Sequence, residues 1–151
     1  MHTRLLQESD GRRVFALVFD TDDEVASGLE GFAREHGVEG AHLTALGALR
    51  DVTLGYWEWE RKDYRRISID DQVEVLALVG NIARGPEGGP KVHAHLVVGK
   101  RDGTAHGGHL LEAHVRPTLE VIVTEEPRHL QRQVDEETGL ALITVGAASG
   151  R

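Results

Sequence analysis

The chain has 151 residues, of which 40% are hydrophobic and 28% are charged, so we expect one globular domain with a substantial core. Its 17 basic and 25 acidic residues give a net charge of −8, which argues against direct DNA binding by this chain. The absence of cysteine excludes disulfides and thiolate ligands, so a metal would have to be bound through nitrogen or oxygen.

Nothing in the sequence points to a membrane. No apolar run approaches the roughly 20 residues that a membrane-spanning helix needs. The first ten residues also lack a hydrophobic signal region. We therefore expect a cytoplasmic protein.

The N-terminal part predicts a strand followed by the main helix. Residues 12–19 predict a strand, because their apolar run is too continuous for a fully exposed edge strand. A helix is expected over about 21–36, with Thr21 as its N-cap and Glu24 completing a capping box. Gly37 is a natural residue to end it.

The rest of the chain is dominated by strand patterns. The predicted strands cover residues 41–49, 51–60, 64–69, 73–83, 92–98, 117–124 and 139–145, together with a hairpin partner that follows 92–98. Residues 127–138 are polar and predict one or two short helical turns, and 146–151 predict a frayed tail. The expected fold is a single α+β domain with a mainly antiparallel sheet of about seven to eight strands and a core over about 3–145.

The segment from Lys91 to His109 holds four of the nine histidines. His93 and His95 alternate with apolar residues, so on a strand their side chains share one face. Asp102 and Gly103 predict a tight hairpin turn, and a reversal there pairs His95 with His109. Three imidazoles on one face, with a fourth position open, resemble a catalytic zinc site.

The third ligand has two candidates. The hairpin register favours His109, whereas His106 would need a bulge at Gly107 and Gly108 to face the same way. His114 has the opposite parity to His109, and we assign it no ligand role. His2, His36, His42 and His129 have no partner in the sequence and are interpreted as structural or surface residues. Zinc, or another divalent first-row metal, is the expected cofactor.

Other functional patterns are weak. No phosphate-binding Gly-Lys-Ser/Thr motif and no serine-hydrolase motif is present. A metal-dependent hydrolase or lyase acting on a small molecule would need a general base, and the pattern does not place Glu58, Glu112 or Glu120 near the histidines. Trp57 and Trp59 share one face of a predicted strand, where they pack against the next strand or meet a partner protein.

Five ordered segments resemble the PPC domain, the domain conserved in plants and prokaryotes whose function is unknown. The segments are 47–56, 73–81, 92–96, 102–110 and 118–125. The resemblance covers about residues 3 to 145. It implies a strongly bent antiparallel sheet, assembly as a homotrimer, and metal ligands at His93, His95 and His109.

The same resemblance raises a second function. Plant members join the domain to an AT-hook that binds DNA, and bacterial members often carry a DNA-binding label for that reason. This chain has no Arg-Gly-Arg-Pro hook and no basic arm. We therefore expect a stand-alone, metal-binding homotrimer with room for a small ligand at the metal, and we keep a DNA-associated regulatory role as the alternative.

Overall fold

The structure is a computed structural model that describes residues 1–126 and 131–144. Within these ranges the chain forms one sheet of nine strands and a single helix. The elements in chain order are β1 (His2–Ser9), β2 (Arg12–Phe19), α1 (Val25–His36), β3 (Gly40–Glu58), β4 (Asp63–Ile69), β5 (Val73–Arg84), β6 (Pro90–Gly99), β7 (Ala105–Glu125), β8 (Gln131–Val134) and β9 (Ala141–Thr144). The predicted α+β class with a mainly antiparallel sheet is confirmed.

Two long strands bend the sheet. The 19-residue strand β3 pairs with β4, β5 and β7, and the 21-residue strand β7 pairs with β2, β3 and β6. Strand β6 also pairs with β5, so β3, β5, β6 and β7 form a closed circuit of antiparallel pairs. Such a circuit exists only if β3 and β7 curve, and this curvature gives the sheet an inner face that is buried and an outer face.

Helix α1 covers part of the inner face. Its apolar stripe, at helical spacing, consists of four buried residues, Val25, Leu29, Phe32 and Ala33. Gly37 ends the helix with a left-handed φ of 64°, as expected for a C-terminal glycine. The predicted N-terminus is wrong, because the helix begins at Val25 and Glu24 itself is the N-cap. Thr21 instead donates a hydrogen bond to the carbonyl of Pro117 over 3.2 Å.

Three further differences concern strands. Strand β1 was not predicted, and all eight of its residues are exposed. Residues 41–49 and 51–60, predicted as two strands, belong to the continuous strand β3, which ends at Glu58. The predicted helical turns are wrong for Gln131–Val134, which form β8. The closing strand is confirmed as β9, while the predictions for residues 127–130 and 145–151 lie outside the described residues.

The outer face carries a row of cross-strand neighbours that leads to the histidines. Register pairs join Ile122 to Thr44, Thr44 to Val79, Val79 to His95, and His95 to His109. Directly paired residues project from the same face of a sheet, so this row places the histidines beside exposed apolar side chains. In the described parts of the chain, no helix is long and apolar enough to cross a membrane.

Candidate metal centre

The three predicted ligands come from one hairpin. On β6 the residues Ala94 and Leu96 are buried, so the alternating His93 and His95 project from the outer face. The chain reverses at the predicted turn, where Gly103 has a φ of 82° that glycine adopts without strain. The returning strand β7 places His109 directly opposite His95.

The rings converge as the sequence predicted. The centroids of His93, His95 and His109 lie 5.1, 5.0 and 5.3 Å apart, and one ligand atom from each ring lies within 4.8 Å of the others. The Nε2 atoms of His93 and His95 are 3.2 Å apart. Ligands at bonds of about 2.0–2.1 Å in a tetrahedral site are about 3.3 Å from each other. These three residues therefore fit a zinc-like ion.

Burial keeps two of the rings neutral. The pKa of His109 is lowered to about 4, mainly by burial and further by His93, His95 and Arg132. Burial also lowers the pKa of His93, with smaller contributions from Arg132 and His95. Neutral imidazole is the form that binds metal, so neither ring carries a positive charge that it would have to lose at pH 7. The Nδ1 of His109 is buried and has no hydrogen-bond partner among the described residues.

Arg132 contacts the Nδ1 side of the His93 ring. The Nη2 of Arg132, on β8, lies 3.1 Å from Nδ1 of His93 and 2.6 Å from Oδ1 of Asn81. A guanidinium only donates, so this Nδ1 accepts, and the proton of the neutral His93 ring lies on Nε2. Coordination through Nε2 requires that this proton leave. Metal binding must therefore change the contact between Arg132 and His93.

Aromatic residues form the wall behind His109. Tyr64 stacks on the His109 ring with centroids 4.6 Å apart and an angle of 15°. Trp57 in turn packs edge-on against Tyr64, at 5.0 Å. The prediction that a tryptophan packs against the next strand is confirmed for Trp57, since Tyr64 belongs to β4. Trp59 lies beyond the end of β3 and is exposed.

The remaining histidines lie outside this cluster. His106 is exposed and opposite Val98, so the structure brings His109 and not His106 into the cluster, as the hairpin register predicted. His114 pairs with Asp51, and His2 and His42 lie near Asp20 and Glu126 respectively. His36 packs against Phe15 and Phe32. His129 is not among the described residues.

Sequence reasoning missed Arg132, Asn81 and Tyr64. Asn81 and Tyr64 sit on correctly predicted strands, and a full strand pairing would have placed Asn81 opposite His93. Arg132 gave no usable signal, because its segment was interpreted as helical. None of the candidate bases Glu58, Glu112 and Glu120 joins the histidine group; Glu58 pairs with Arg61, and Glu112 with Arg66.

The fold and the three-histidine group together define a class of protein, one with a bent antiparallel sheet and a candidate metal centre on one hairpin. The chain matches the Plants and Prokaryotes Conserved (PCC) domain, also abbreviated PPC, over residues 6–127. It therefore belongs to this family, as the five segments predicted. His93, His95 and His109 all fall within the matched residues, whereas Arg132 lies beyond them.

Three solved structures share the fold at clear sequence identity. A PPC protein from Pyrococcus horikoshii is 29% identical, with a TM-score of 0.83 over 88% of this chain and 92% of its own. The metal-containing protein of Archaeoglobus fulgidus is 32% identical, with a TM-score of 0.81 over 95% and 97%. A Ralstonia eutropha JMP134 protein with a provisional DNA-binding description is 30% identical, with a TM-score of 0.81 over 87% and 90%.

A curated relative is much longer than this chain. The bifunctional protein GlmU of Synechococcus sp. (strain JA-3-3Ab) is 32% identical over 130 residues. The match covers 84% of this chain but only 20% of GlmU, so the likeness concerns one part of that protein.

Proposed function

We propose that this chain is a homotrimeric PPC protein that binds one divalent metal ion, zinc above all, through His93, His95 and His109. The observation that supports this most strongly is the convergence of three imidazoles at ligand spacing. A related structure of Archaeoglobus fulgidus is named as metal-containing, which supports the same proposal. Three histidines leave a fourth position for a small ligand, and a metal there lowers the pKa of a bound water.

Metal analysis tests the proposal directly. Protein purified without an affinity tag and without chelator should hold about one zinc-like ion per chain. The His95→Ala variant should lose it, whereas His106→Ala, which removes an exposed histidine of the same hairpin, should keep it. A wild-type protein that is metal-free and does not take up zinc, cobalt or nickel on dialysis would overturn the proposal.

The outer face supports the trimer. Leu46 is 62% exposed and Val79 55% exposed, and Ile122 and Val97 are exposed near them. Apolar side chains clustered on one sheet face mark a site of protein association. The register row that runs through Val79 ends at His95 and His109, so an assembly through this face also encloses the metal site.

Solution mass tests the assembly. The wild type should scatter light as a particle of about three chains, and Leu46→Glu should shift it toward the mass of one chain because a charge then enters the interface. Leu6→Glu, an equally sized change at an exposed residue of the edge strand β1, is the matched control and should leave the mass unchanged. A wild-type protein with the mass of a single chain would contradict this part of the proposal.

The alternative is a DNA-associated regulatory protein, favoured by the DNA-binding descriptions of relatives such as the Ralstonia eutropha protein. The net charge of −8 opposes it, because phosphate contacts depend on lysine and arginine. A mobility-shift experiment on A·T-rich duplexes decides between the two. We expect no shift at about 0.1 M salt, and a shift that weakens with increasing salt would favour the alternative.

Metal-dependent hydrolysis or lyase chemistry needs a general base beside the metal. No described carboxylate joins the histidine group as a general base. Ester, amide and phosphate substrates, each with and without chelator, test this extension. Turnover that disappears with chelator and returns with zinc would establish catalysis, and we expect none on these simple substrates.

A further inference from the structure

The C-terminal hairpin, Gln131–Thr144, contacts the histidine cluster through Arg132. At one end, Arg132 contacts His93 and Asn81. At the other end, the Nζ of Lys62, in the turn between β3 and β4, donates to the carbonyl of Glu136 over 3.3 Å. This hairpin lies beyond residues 6–127, which match the family, so the contact of Arg132 with the site comes from outside the matched domain.

Arg132 is a buried cation that has no counter-ion among the described residues. It is only 6% exposed, and its Nε is buried without a hydrogen-bond partner among the described residues. Its other contacts are neutral: Nη1 donates to the carbonyl of Ala141, and Nη2 faces Asn81 and His93. No described carboxylate pairs with it, although unpaired buried charges are normally avoided.

Two basic side chains lie near the histidines, Arg132 and Lys91, and they differ in their partners. Lys91 pairs with Glu30 over 3.1 Å. Arg132 has no carboxylate partner among the described residues. A divalent metal held by three neutral imidazoles adds two further positive charges, so the loaded site has a large uncompensated positive charge.

We propose that the loaded metal site takes a small oxyanion as its ligand, a carboxylate or a phosphate, and that Arg132 supplies charge that selects it over neutral molecules. The inference rests on the proposed metal site and names the ligand class for its open position. An oxyanion supplies one oxygen to the metal, and its negative charge offsets the positive charge of the metal and of Arg132, which lies 3.1 Å from Nδ1 of His93. Arg132 is a selectivity residue in this account, and the metal ligands remain the three histidines.

The test uses full-length, untagged protein loaded with Co2+, whose visible absorption reports the coordination geometry. Acetate, its neutral isostere acetamide, and inorganic phosphate are titrated separately in a non-coordinating buffer. Acetate or phosphate should change the spectrum at a concentration at least about tenfold lower than acetamide does, because a charge-assisted contact corresponds to about that factor in affinity. The ratio of acetate to phosphate affinity distinguishes the two sources of oxyanion.

Variants locate the selectivity. Arg132→Met should weaken oxyanion binding by about tenfold or more, while acetamide binding stays within about twofold. Arg132→Lys retains the charge and should restore part of the affinity. Arg84→Met is the matched control, since Arg84 lines the same cavity as Arg132 but makes no contact with the histidines. It should behave as wild type.

The outcomes separate this inference from the proposed function. Failure of the wild type to bind Co2+ would overturn both. A Co2+-loaded wild type that binds acetate, phosphate and acetamide equally would overturn only the ligand class, and this comparison needs no variant to fold. Oxyanion affinity that is unchanged in Arg132→Met, or equally reduced in Arg84→Met, would remove the role of Arg132.

Discussion

Two histidines of strand β7, His109 and His114, lie five residues apart in opposite electrostatic surroundings. His109 faces two other histidines and Arg132, and burial with these neighbours lowers its pKa to about 4. The Nδ1 of His114 lies 2.7 Å from a carboxylate oxygen of Asp51. Arg50 also pairs with Asp51, and Glu24 begins helix α1 beside His114.

The difference separates a structural histidine from a candidate ligand. At the junction around His114, the cations have carboxylate partners, so this region is stabilised by its own ion pairs and hydrogen bonds. At the cluster around His109, the described neighbours supply only further positive or neutral groups. The cluster around His109 has no carboxylate partner among its described neighbours, so binding of a metal and an anionic ligand would supply the missing partners. His109 and His114 lie on the same strand, so the residues that surround a histidine, rather than its position on a strand, indicate its role.

The largest expected effect is on metal affinity. His109→Ala should weaken zinc binding by more than about 100-fold. Loss of a residue that only orients a metal ligand already weakens binding by up to about 100-fold, and loss of the ligand itself should cost more. His114→Ala should leave zinc affinity within about threefold. Competition with a chromophoric chelator measures both. Equal losses in the two variants would remove the distinction between the two regions.

The next effect is on stability at the junction. The carboxylate of Glu24 accepts hydrogen bonds from the backbone of Ala26, Ser27 and Ala113 at 3.0, 2.7 and 3.4 Å. Glu24→Ala removes the N-cap and leaves those donors without an acceptor, which should cost about 1–2 kcal/mol. Urea denaturation with chelator present measures this loss. Glu35→Ala, at an exposed position of the same helix, is the control and should change stability by less than about 0.5 kcal/mol.

The smallest effect is a difference in pH dependence, measured by denaturation of the chelator-treated protein. The pKa of His109 falls from 6.5 to about 4 on folding, so the unfolded ring binds a proton first and stability falls as the pH drops from about 6.5 to about 4. Burial opposes a low pKa at Asp51, but hydrogen bonds from His114 and Arg50 lower it below 3.8. Its contribution is therefore lost only as the pH falls below about 4.

Variants assign these two pH windows. His109→Gln should flatten the upper one, and Asp51→Asn should flatten the lower one. If Asp51→Asn instead flattens the window between about pH 6.5 and 4, the electrostatic contrast between the two regions is wrong.

The candidate site was predictable because it is local. Its three ligands lie on one hairpin, and the turn at Asp102 and Gly103 fixes the register that pairs His95 with His109. Strand alternation then decides the face on which each side chain projects. The choice of His109 over His106 required nothing from distant parts of the chain.

Features that depend on distant contacts were not predictable. Strand β3 is continuous because it pairs with β7 on both sides of the polar pair Arg50 and Asp51, whose charges interrupt the apolar pattern. Strand β1 has no buried residue and therefore no alternation to detect. Arg132 reaches the site only because β8 joins the end of β5 through the pair of Arg84 and Gln131. Tertiary pairing, rather than local pattern, places each of these elements.

The most direct test of the metal site is a crystal structure of untagged, zinc-loaded protein with anomalous data collected on both sides of the zinc absorption edge. We expect one anomalous peak per chain at about 2.0–2.1 Å from a ring nitrogen of each of His93, His95 and His109, with a fourth position open to a non-protein ligand. A peak at the His114–Asp51 pair instead, or no peak in crystals grown with excess zinc, would contradict it.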